Sequence, residues 1–371
     1  MIPNPAYVFP HAAVASPHYL ATIAGVNVLS AGGNAVDAAI ATNLVLAVVC
    51  PHLCGAGGDL FAIVHSDGNV IGLNSSGRLP MAAELPGDGK VPVHGIGSVT
   101  VPGAAAGWVA LAERYGTRDI NDLAKPAIGY AREGFCPSPS LVRSTERSAQ
   151  LLERDRDAKR IWVEGVQRGW VTNPELADVL SDLRGFYHGD VARNAPAPCT
   201  PDDFARHEAE WVTPMSTEFF GDTIYEMPPN SRGHLVLKAL DKLGDIEGMS
   251  LDDPALHRRM FDAIESVSLT GDTVYLCAQD RSGLAISMNE SNYMGYGSGV
   301  VVPGTGVHLH NRGAYHTPAS YKGAARPIHT LAPGMATRGG KPHLLFGTMG
   351  GEAQIQIHMQ LLVRLLAVGQ D

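Results

Sequence analysis

The sequence predicts an α+β protein in which helices and antiparallel sheets form four layers, in the order helix, sheet, sheet, helix. Helical segments flank groups of β-hairpins toward both ends of the 371-residue chain. The hairpins are also too tight for the long crossovers that join the strands of a parallel sheet. A chain of this length can bury a sizeable core. Because it contains no internal repeat or clear linker, we expect residues 1–371 to form a single domain.

Helix and hairpin signals alternate in the N-terminal half. An almost wholly apolar run follows Asn34, a residue suited to the N-cap of a helix. Turn residues at 66–69 separate two short apolar runs, which is typical of a hairpin. Gly134 would end a later helix. The elements predicted here are a helix over 35–49, a hairpin from 60–65 and 70–73, and helices over 103–115 and 119–133.

The C-terminal half also contains both hairpin and helix signals. Turn residues at 280–283 and the Gly339-Gly340 pair each separate two β-type runs, and a long apolar segment closes the chain. These signals predict two hairpins and a final helix. The elements predicted here are a strand over 223–227, helices over 233–243 and 254–267, hairpins from 273–278 with 284–288 and from 335–337 with 343–346, and a helix over 353–368.

Composition excludes several classes of protein. The chain has 28 Lys and Arg against 37 Asp and Glu, a net charge of −9, so nucleic acid is not an expected partner. Its longest apolar run, 44–50, is far too short to span a membrane. The N-terminus lacks the basic and apolar regions of a secretory signal, and five cysteines do not indicate a disulfide framework. We therefore expect a cytoplasmic protein without a membrane partner.

Common catalytic and cofactor motifs are missing. The glycine-rich segments at 55–58 and 295–299 lack the strand–GxGxxG–helix context of a dinucleotide site, so a nucleotide-binding oxidoreductase is disfavoured. No G-x-S-x-G elbow is present. His308 and His310 lie two apart with His316 nearby, and either metal ligation or ordinary polar roles would fit them. Since no recognised metal spacing supports ligation, no metal or other cofactor is predicted.

Thr273 occupies a position suited to a particular chemistry, because it opens a predicted strand directly after Gly271-Asp272. A threonine hydroxyl is a poor nucleophile without a neighbouring base. If the Asp272–Thr273 bond is cut, the new α-amino group, with a pKa of about 7.7–8.0, supplies that base. Threonine also begins many ordinary strands, so the local sequence alone favours a structural role.

Short motifs occur in order along nearly the whole chain: HAAVAS at 11–16, AGGNAVDAA at 31–39, GAGGD at 55–59, VPG at 101–103, EMPPN at 226–230, GDT at 271–273, GSGVVVPGTG at 297–306 and GTMGG at 347–351. Each motif is modest alone, but the ordered set resembles the γ-glutamyltransferase family of the N-terminal-nucleophile (Ntn) hydrolases. The resemblance implies a four-layer αββα sandwich, here shorter than is usual in the family.

The resemblance also implies a precursor that cleaves its own Asp272–Thr273 bond. Residues 1–272 would become a large subunit and residues 273–371 a small one, associated as a heterodimer, with further dimerisation left open. Thr273 would be the catalytic nucleophile. The backbone N–H groups of Gly350 and Gly351 would hold the oxyanion of the tetrahedral intermediate.

Five further residues fall at or beside substrate-binding positions of the family. Arg78 lies near the arginine that grips a substrate carboxylate, although a gapless match puts a serine there. Asn292 is one place from a family asparagine. Tyr315 stands where γ-glutamyltransferases have the aspartate that binds the α-amino group, and His329-Thr330 replace a pair of serines.

These departures resemble the family members that are oxamate amidohydrolases or cephalosporin acylases. We therefore predict a self-processing threonine amidohydrolase or acyltransferase that acts on a small-molecule amide through an acyl-enzyme on Thr273. A γ-glutamyl substrate stays open. The alternative is a catalytically inactive or truncated relative with a binding or structural role.

Overall fold

The computed structural model describes residues 11–264 and 272–369 and contains two antiparallel β-sheets. The strands are β1 Ala13–Ala15, β2 Asp59–Ser66, β3 Asn69–Ser75, β4 Glu210–Val212, β5 Met215–Phe219, β6 Asp222–Glu226, β7 Asp272–Gln279, β8 Ala285–Tyr293, β9 Gly334–Arg338 and β10 Lys341–Phe346. The larger sheet has the order β1-β7-β8-β2-β3-β4, and the smaller has the order β10-β9-β6-β5.

Helices cover the outer face of each sheet. They are α1 Tyr19–Ser30, α2 Ala35–Val49, α3 Ala104–Tyr115, α4 Ile120–Glu133, α5 Pro139–Arg147, α6 Ala149–Leu152, α7 Arg156–Ala158, α8 Glu164–Gln167, α9 Pro174–Leu180, α10 Asp190–Asn194, α11 Pro201–Ala205, α12 His234–Lys242, α13 Pro254–Ala263 and α14 Ala353–Leu362. A short 3-10 turn, Arg312–Tyr315, lies between β8 and β9. None of the helices in the described ranges is long and apolar enough to cross a bilayer.

Three apolar cores hold the layers together. The largest lies between α1–α4 and the six-stranded sheet, and every residue of α2 is buried in it. A second lies between the two sheets, where Phe61 and Ile63 of β2 pack with Met335 of β9. The third joins α12, α13 and α14 to the four-stranded sheet. This order of layers confirms the predicted αββα sandwich.

The predicted glycine-rich loop before β2 is a site of close backbone approach. A Cβ on Gly58 would lie 2.8 Å from Oε1 of Glu290. That buried carboxyl accepts hydrogen bonds from Gly55 N at 2.6 Å and Asn43 Nδ2 at 3.0 Å. Burial raises the pKa of Glu290 to about 8. The glycines therefore let this loop wrap a buried acid, and their role here is structural.

Most predicted elements are confirmed with small shifts at their ends. The helix over 35–49 is α2, and Asn34 forms a capping box with Asp37. The predicted strand over 284–288 is longer, since β8 continues to Tyr293. The helix predicted over 254–267 ends at Ala263, and residues 265–267 lie outside the described part. Helix α1 and strands β1, β4 and β5 were not predicted.

Candidate active site

Thr273 lies near the start of an inner strand of the larger sheet. It is only 2% exposed. Across the sheet, Asp272 faces Tyr293 and Val274 faces Glu290, so two residues of β8 oppose the single Thr273. This is a β-bulge, a local irregularity that re-aims side chains and is frequent beside active sites. The sequence motif at 271–273 therefore ends at a distorted point of an otherwise regular ladder.

Asn289 connects the Thr273 strand with the segment that leads to Gly350. Its Nδ2 donates to Val274 O at 3.2 Å and to Thr348 O at 3.4 Å. The side chain is fully buried, and its Oδ1 has no hydrogen-bond partner among the described residues. A buried amide with an unused acceptor is costly, so this oxygen is suited to a polar group that arrives from outside the described structure. Sequence analysis did not single out this residue.

Gly350 and Gly351 form a tight turn directly before α14. Their φ angles are +132° and +58°, which glycine adopts far more readily than other residues. Ala353 N donates to Gly350 O at 3.1 Å, which fixes the turn against the first residues of the helix. The N-terminal end of a helix carries partial positive charge and favours anions. The pair is thus placed where backbone N–H groups can stabilise a negative oxygen.

A cluster of three polar side chains lies beside this turn. Tyr315 donates its hydroxyl to Glu352, the residue after Gly351, and Arg232 forms an ion pair with the same carboxylate. Arg232 Nη1 also donates to the Tyr315 oxygen at 3.0 Å. Burial raises the pKa of Tyr315 most, and the hydrogen bond to Glu352 raises it further. The Glu352 charge is therefore compensated by an arginine within the protein.

Arg312 is a buried cation between two tyrosine rings. Its guanidinium carbon is 4.1 Å from the centre of the Tyr293 ring and 5.7 Å from that of Tyr315. Nη2 and Nη1 reach Thr330 Oγ1 at 3.4 and 3.5 Å. Burial lowers the pKa of Arg312 to about 10, which still leaves it charged at neutral pH. No motif pointed to this arginine before the fold was known.

His329 forms a hydrogen bond with a buried carboxylate. Its Nε2 donates to Asp59 Oδ2 at 2.8 Å, and Gly77 N donates to Oδ1 at 3.1 Å. Burial acts to raise the pKa of Asp59, but His310 and these hydrogen bonds outweigh it, so the carboxyl is ionised. Burial and the nearby Arg312 lower the pKa of His329 to about 3. The imidazole is therefore neutral and positions the loop that carries Thr330.

The predicted site residues fall into two groups. The first group is linked through neighbouring residues, since Asn289 bonds Val274, directly after Thr273, and Thr348, two residues before Gly350. Arg312 lies between the rings of Tyr293 and Tyr315 and contacts Thr330, the residue after His329. Arg78 and Asn292 are engaged elsewhere. Arg78 is exposed, donates to Ala324 O at 3.3 Å and lines a surface pocket of about 180 Å³. Asn292 Nδ2 donates to Pro51 O at 3.1 Å in the loop before β2. Their substrate-binding roles stay predictions.

The histidines that could have held a metal have protein partners. His308 Nε2 contacts Tyr296 O at 2.6 Å, and His310 Nε2 contacts Thr100 O at 2.9 Å. Within residues 11–264 and 272–369, no three His, Cys, Asp or Glu side chains are grouped as metal ligands.

Comparison with solved structures gives the class of protein. A cephalosporin acylase from Bacillus halodurans superposes with a TM-score of 0.89 at 31% identity, over 100% of this chain and 84% of the acylase. A γ-glutamyltranspeptidase from Helicobacter pylori superposes with a TM-score of 0.65 at 27% identity, over 69% of this chain and 82% of its own. The fold is therefore that of the Ntn-type amide hydrolases and acyltransferases.

Sequence comparison gives the family. The family model described as gamma-glutamyltranspeptidase matches residues 21–270 and 253–371. The glutathione hydrolase-like YwrD proenzyme of Bacillus subtilis is 33% identical over 96% of this chain and 82% of its own length. The oxamate amidohydrolase proenzyme of Klebsiella pneumoniae is 29% identical over 97% and 82%. The chain belongs to the gamma-glutamyltranspeptidase family and is an amide hydrolase or acyltransferase of that family, as the resemblance implied.

Proposed function

We propose that this chain is a self-processing threonine amidase or acyltransferase whose nucleophile is Thr273. The observation that carries the proposal is the Asn289 bridge: its amide donates to the carbonyl of Val274, the residue after Thr273, and to the carbonyl of Thr348. Thr348 lies two residues before Gly350. The strand that carries the proposed nucleophile and the segment that leads to the proposed oxyanion hole are thereby joined by one buried side chain, which supports their acting on one carbonyl.

Maturation would use the same hydroxyl. Thr273 Oγ attacks the carbonyl carbon of Asp272, and the Asp272–Thr273 amide is converted to an ester on Oγ. Water then hydrolyses the ester. The products are an Asp272 carboxylate and a Thr273 with a free α-amino group, so residues 1–272 and 273–371 become the two subunits of a heterodimer. The proenzyme names of both relatives support this step.

Turnover then follows the chemistry of an N-terminal nucleophile. The Thr273 amine, with the unperturbed pKa of an α-amino group of about 7.7–8.0, is about one-quarter to two-fifths neutral at pH 7.5. In that form it takes the proton of Oγ as Oγ attacks the substrate carbonyl. The N–H groups of Gly350 and Gly351 stabilise the oxyanion. The amine returns the proton to the leaving nitrogen, and water or an acceptor amine releases the acyl group from Oγ.

The polar cluster beside the turn argues against a γ-glutamyl group as the preferred substrate. A γ-glutamyl donor carries an α-ammonium group, which needs an anionic partner in a buried site. Here Tyr315 occupies the expected position, and the adjacent Glu352 carboxylate is engaged by Arg232. We infer that the acyl group accepted by this chain lacks an ammonium group at that position.

The deciding experiment is the intact mass of the purified chain, followed by N-terminal sequencing. The proposal predicts two polypeptides, 1–272 and one that begins Thr-Val-Tyr-Leu. Thr273→Ala removes the hydroxyl and should leave a single chain, whereas Thr273→Ser keeps a hydroxyl and should still be cut. A wild-type chain that stays whole after prolonged incubation would refute the proposal and favour the inactive relative.

A further inference from the structure

We propose that the buried pair Glu226–His358 positions the Gly350-Gly351 turn by fixing helix α14 against strand β6. The pair would act through the turn and without touching the substrate, so both members are positioning residues. This inference rests on the proposed function, because it concerns the geometry of the same oxyanion hole.

The first argument is that the turn is hydrogen-bonded into the start of α14. Ala353 N donates to Gly350 O at 3.1 Å, and Gln354 N donates to Gly351 O at 3.3 Å. A rotation or a slide of α14 would therefore carry both glycines with it. Stabilisation of an oxyanion depends on donors that are already aimed at the developing charge. The orientation of α14 thus decides where the glycine N–H groups point.

The second argument is that the pair gives α14 a directional contact with the smaller sheet. Nδ1 of His358, in α14, lies 2.9 Å from Oε1 of Glu226, the last residue of the interior strand β6. Both side chains are fully buried. Ile355 and Met359 of the same helix pack into the third apolar core, but apolar contacts have no preferred direction. The hydrogen bond therefore selects one orientation of the helix among those that the apolar core allows.

The third argument is that stability does not account for this polar pair. Glu226 Oε2 and His358 Nε2 have no hydrogen-bond partner among the described residues, and neither amide atom of the buried Gln354 has one. Gln354 lies one helical turn before His358, so the buried face of α14 is polar at two successive turns. Replacing a buried polar pair with apolar side chains of similar volume is often neutral or stabilising. A cluster that is this costly to bury indicates a role in geometry.

The pair forms a hydrogen bond between uncharged groups. Burial raises the pKa of Glu226 and lowers the pKa of His358 to about 3, so the carboxyl is protonated and the imidazole is neutral at pH 7. Phe346 packs edge-on against the imidazole with its ring centre 5.1 Å away, and it adds no charge. Glu226→Gln should therefore keep the bond, because an amide can donate or accept. Glu226→Met is similar in size and removes it.

Steady-state kinetics of these two variants test the positioning role. The substrate is the acyl 4-nitroanilide that the wild type cleaves fastest. We expect Glu226→Met to lower kcat about 10–100-fold and to change KM by less than about 2-fold, because a misaligned donor acts mainly in the transition state. Glu226→Gln should stay within about 3-fold of the wild-type kcat. An unchanged kcat in Glu226→Met, or an equal loss in both variants, would overturn the inference.

Asp222→Leu is the matched control for destabilisation. Asp222 is the buried carboxyl at the other end of β6, and its Oδ1 lies 2.7 Å from Nδ1 of His343. Asp222→Leu should lower the midpoint of urea unfolding and keep kcat within about 2-fold of the wild type, since β6 carries it away from the turn. A kcat loss that Asp222→Leu shares with Glu226→Met would reflect general destabilisation and would refute the positioning role.

Amide hydrogen exchange tests the inference whether or not amides are turned over. A Thr273→Ala background keeps every variant in the same uncut form, and mass spectrometry would follow the peptide 347–356. Glu226→Met should speed exchange in this peptide about 10-fold, whereas Glu226→Gln and Asp222→Leu should change it less than about 2-fold. Unchanged exchange in Glu226→Met would contradict the proposal. An uncut and inactive wild-type chain would count only against the proposed function, because exchange requires no turnover.

Discussion

The Gly350-Gly351 turn offers a substitution whose cost can be separated into backbone and catalytic parts. Gly350 has a φ of +132°. A Cβ built there would lie 3.7 Å from the Ala353 Cβ and 3.8 Å from the Ile357 Cδ1, which is ordinary contact distance. Gly350→Ala therefore introduces no clash, and its penalty is backbone strain of about 1–3 kcal/mol. The alanine can relieve that strain only by rotating the peptide.

Rotation of this peptide would turn the proposed oxyanion donor away from the reacting carbonyl. Loss of one such donor costs about 10²–10³ in kcat, or roughly 3–4 kcal/mol of transition-state stabilisation. We expect Gly350→Ala to lose stability by about 1–3 kcal/mol in urea unfolding and to lose about 10²–10³ in kcat for anilide hydrolysis. KM should change little, because the donor acts mainly in the transition state.

Gly68→Ala is the control for the backbone part. Gly68 has a φ of +79° in the β2–β3 turn, and no described atom lies within 4 Å of a Cβ there. It should lose comparable stability while its kcat stays within about 2-fold of the wild type, because the turn is remote from Thr273 in the sheet. If Gly350→Ala loses stability but keeps its kcat, the Gly350 N–H does not hold the oxyanion and the reasoning fails.

Three other predictions follow from contacts described above. Asn289→Ala removes two hydrogen bonds worth about 1–3 kcal/mol, so it should slow both self-cleavage and hydrolysis by about 10–100-fold. Self-cleavage would be followed by mass spectrometry and hydrolysis by an anilide assay, and unchanged rates would contradict the bridge. Arg78→Ala, at an exposed pocket, tests the substrate-binding role that the resemblance implies for Arg78. Full activity with an unchanged KM would show that Arg78 does not bind the substrate. Thermal unfolding should show a lower Tm at pH 5.0 than at pH 7.5, because burial depresses the pKa of several histidines to about 3–4. Unfolding raises them to about 6.5, so below pH 6.5 the unfolded chain binds protons that the folded chain does not, and each histidine lowers the free energy of unfolding by about 2 kcal/mol at pH 5. They outnumber the two buried carboxyls Glu226 and Glu290, whose pKa values are raised by burial and which therefore act in the opposite direction. A Tm that rises at pH 5.0 would refute this account. The histidines are His52, His207, His308, His329 and His358.

The elements that could be predicted from the sequence carry their own local signals. Helix α2 has an apolar run, an N-cap at Asn34 and no charge after Asp37, so its position does not depend on distant contacts. The β7–β8 and β9–β10 hairpins have turn residues between β-type runs. Helix α1 was missed because its exposed side includes Tyr19, Ile23 and Val26, so no polar face reveals a helical period.

The site is predictable only where a motif marks it. Thr273 and Gly350-Gly351 stand within short motifs, whereas Arg312 and Asn289 do not. The burial of Arg312 is created by Tyr293 from β8 and Thr330 from the segment before β9, which are far apart in sequence. Asn289 matters because β7 and the Thr348 loop meet on either side of it. Such roles arise from tertiary contacts, which one sequence does not display.

The position of β7 and β8 in the larger sheet has a consequence for refolding. Both strands are interior, flanked by β1 on one side and β2 on the other, and β9 pairs with β6 in the smaller sheet. A cut before Thr273 would therefore leave each fragment holding incomplete sheets that only the other can close. Folding before the cut is a unimolecular search, but refolding after it requires two chains to meet, so its rate would depend on concentration. Processing would thus make unfolding effectively irreversible at low concentration: the folded enzyme stays assembled after the cut, but once it is unfolded and diluted, its two chains would rarely reassociate.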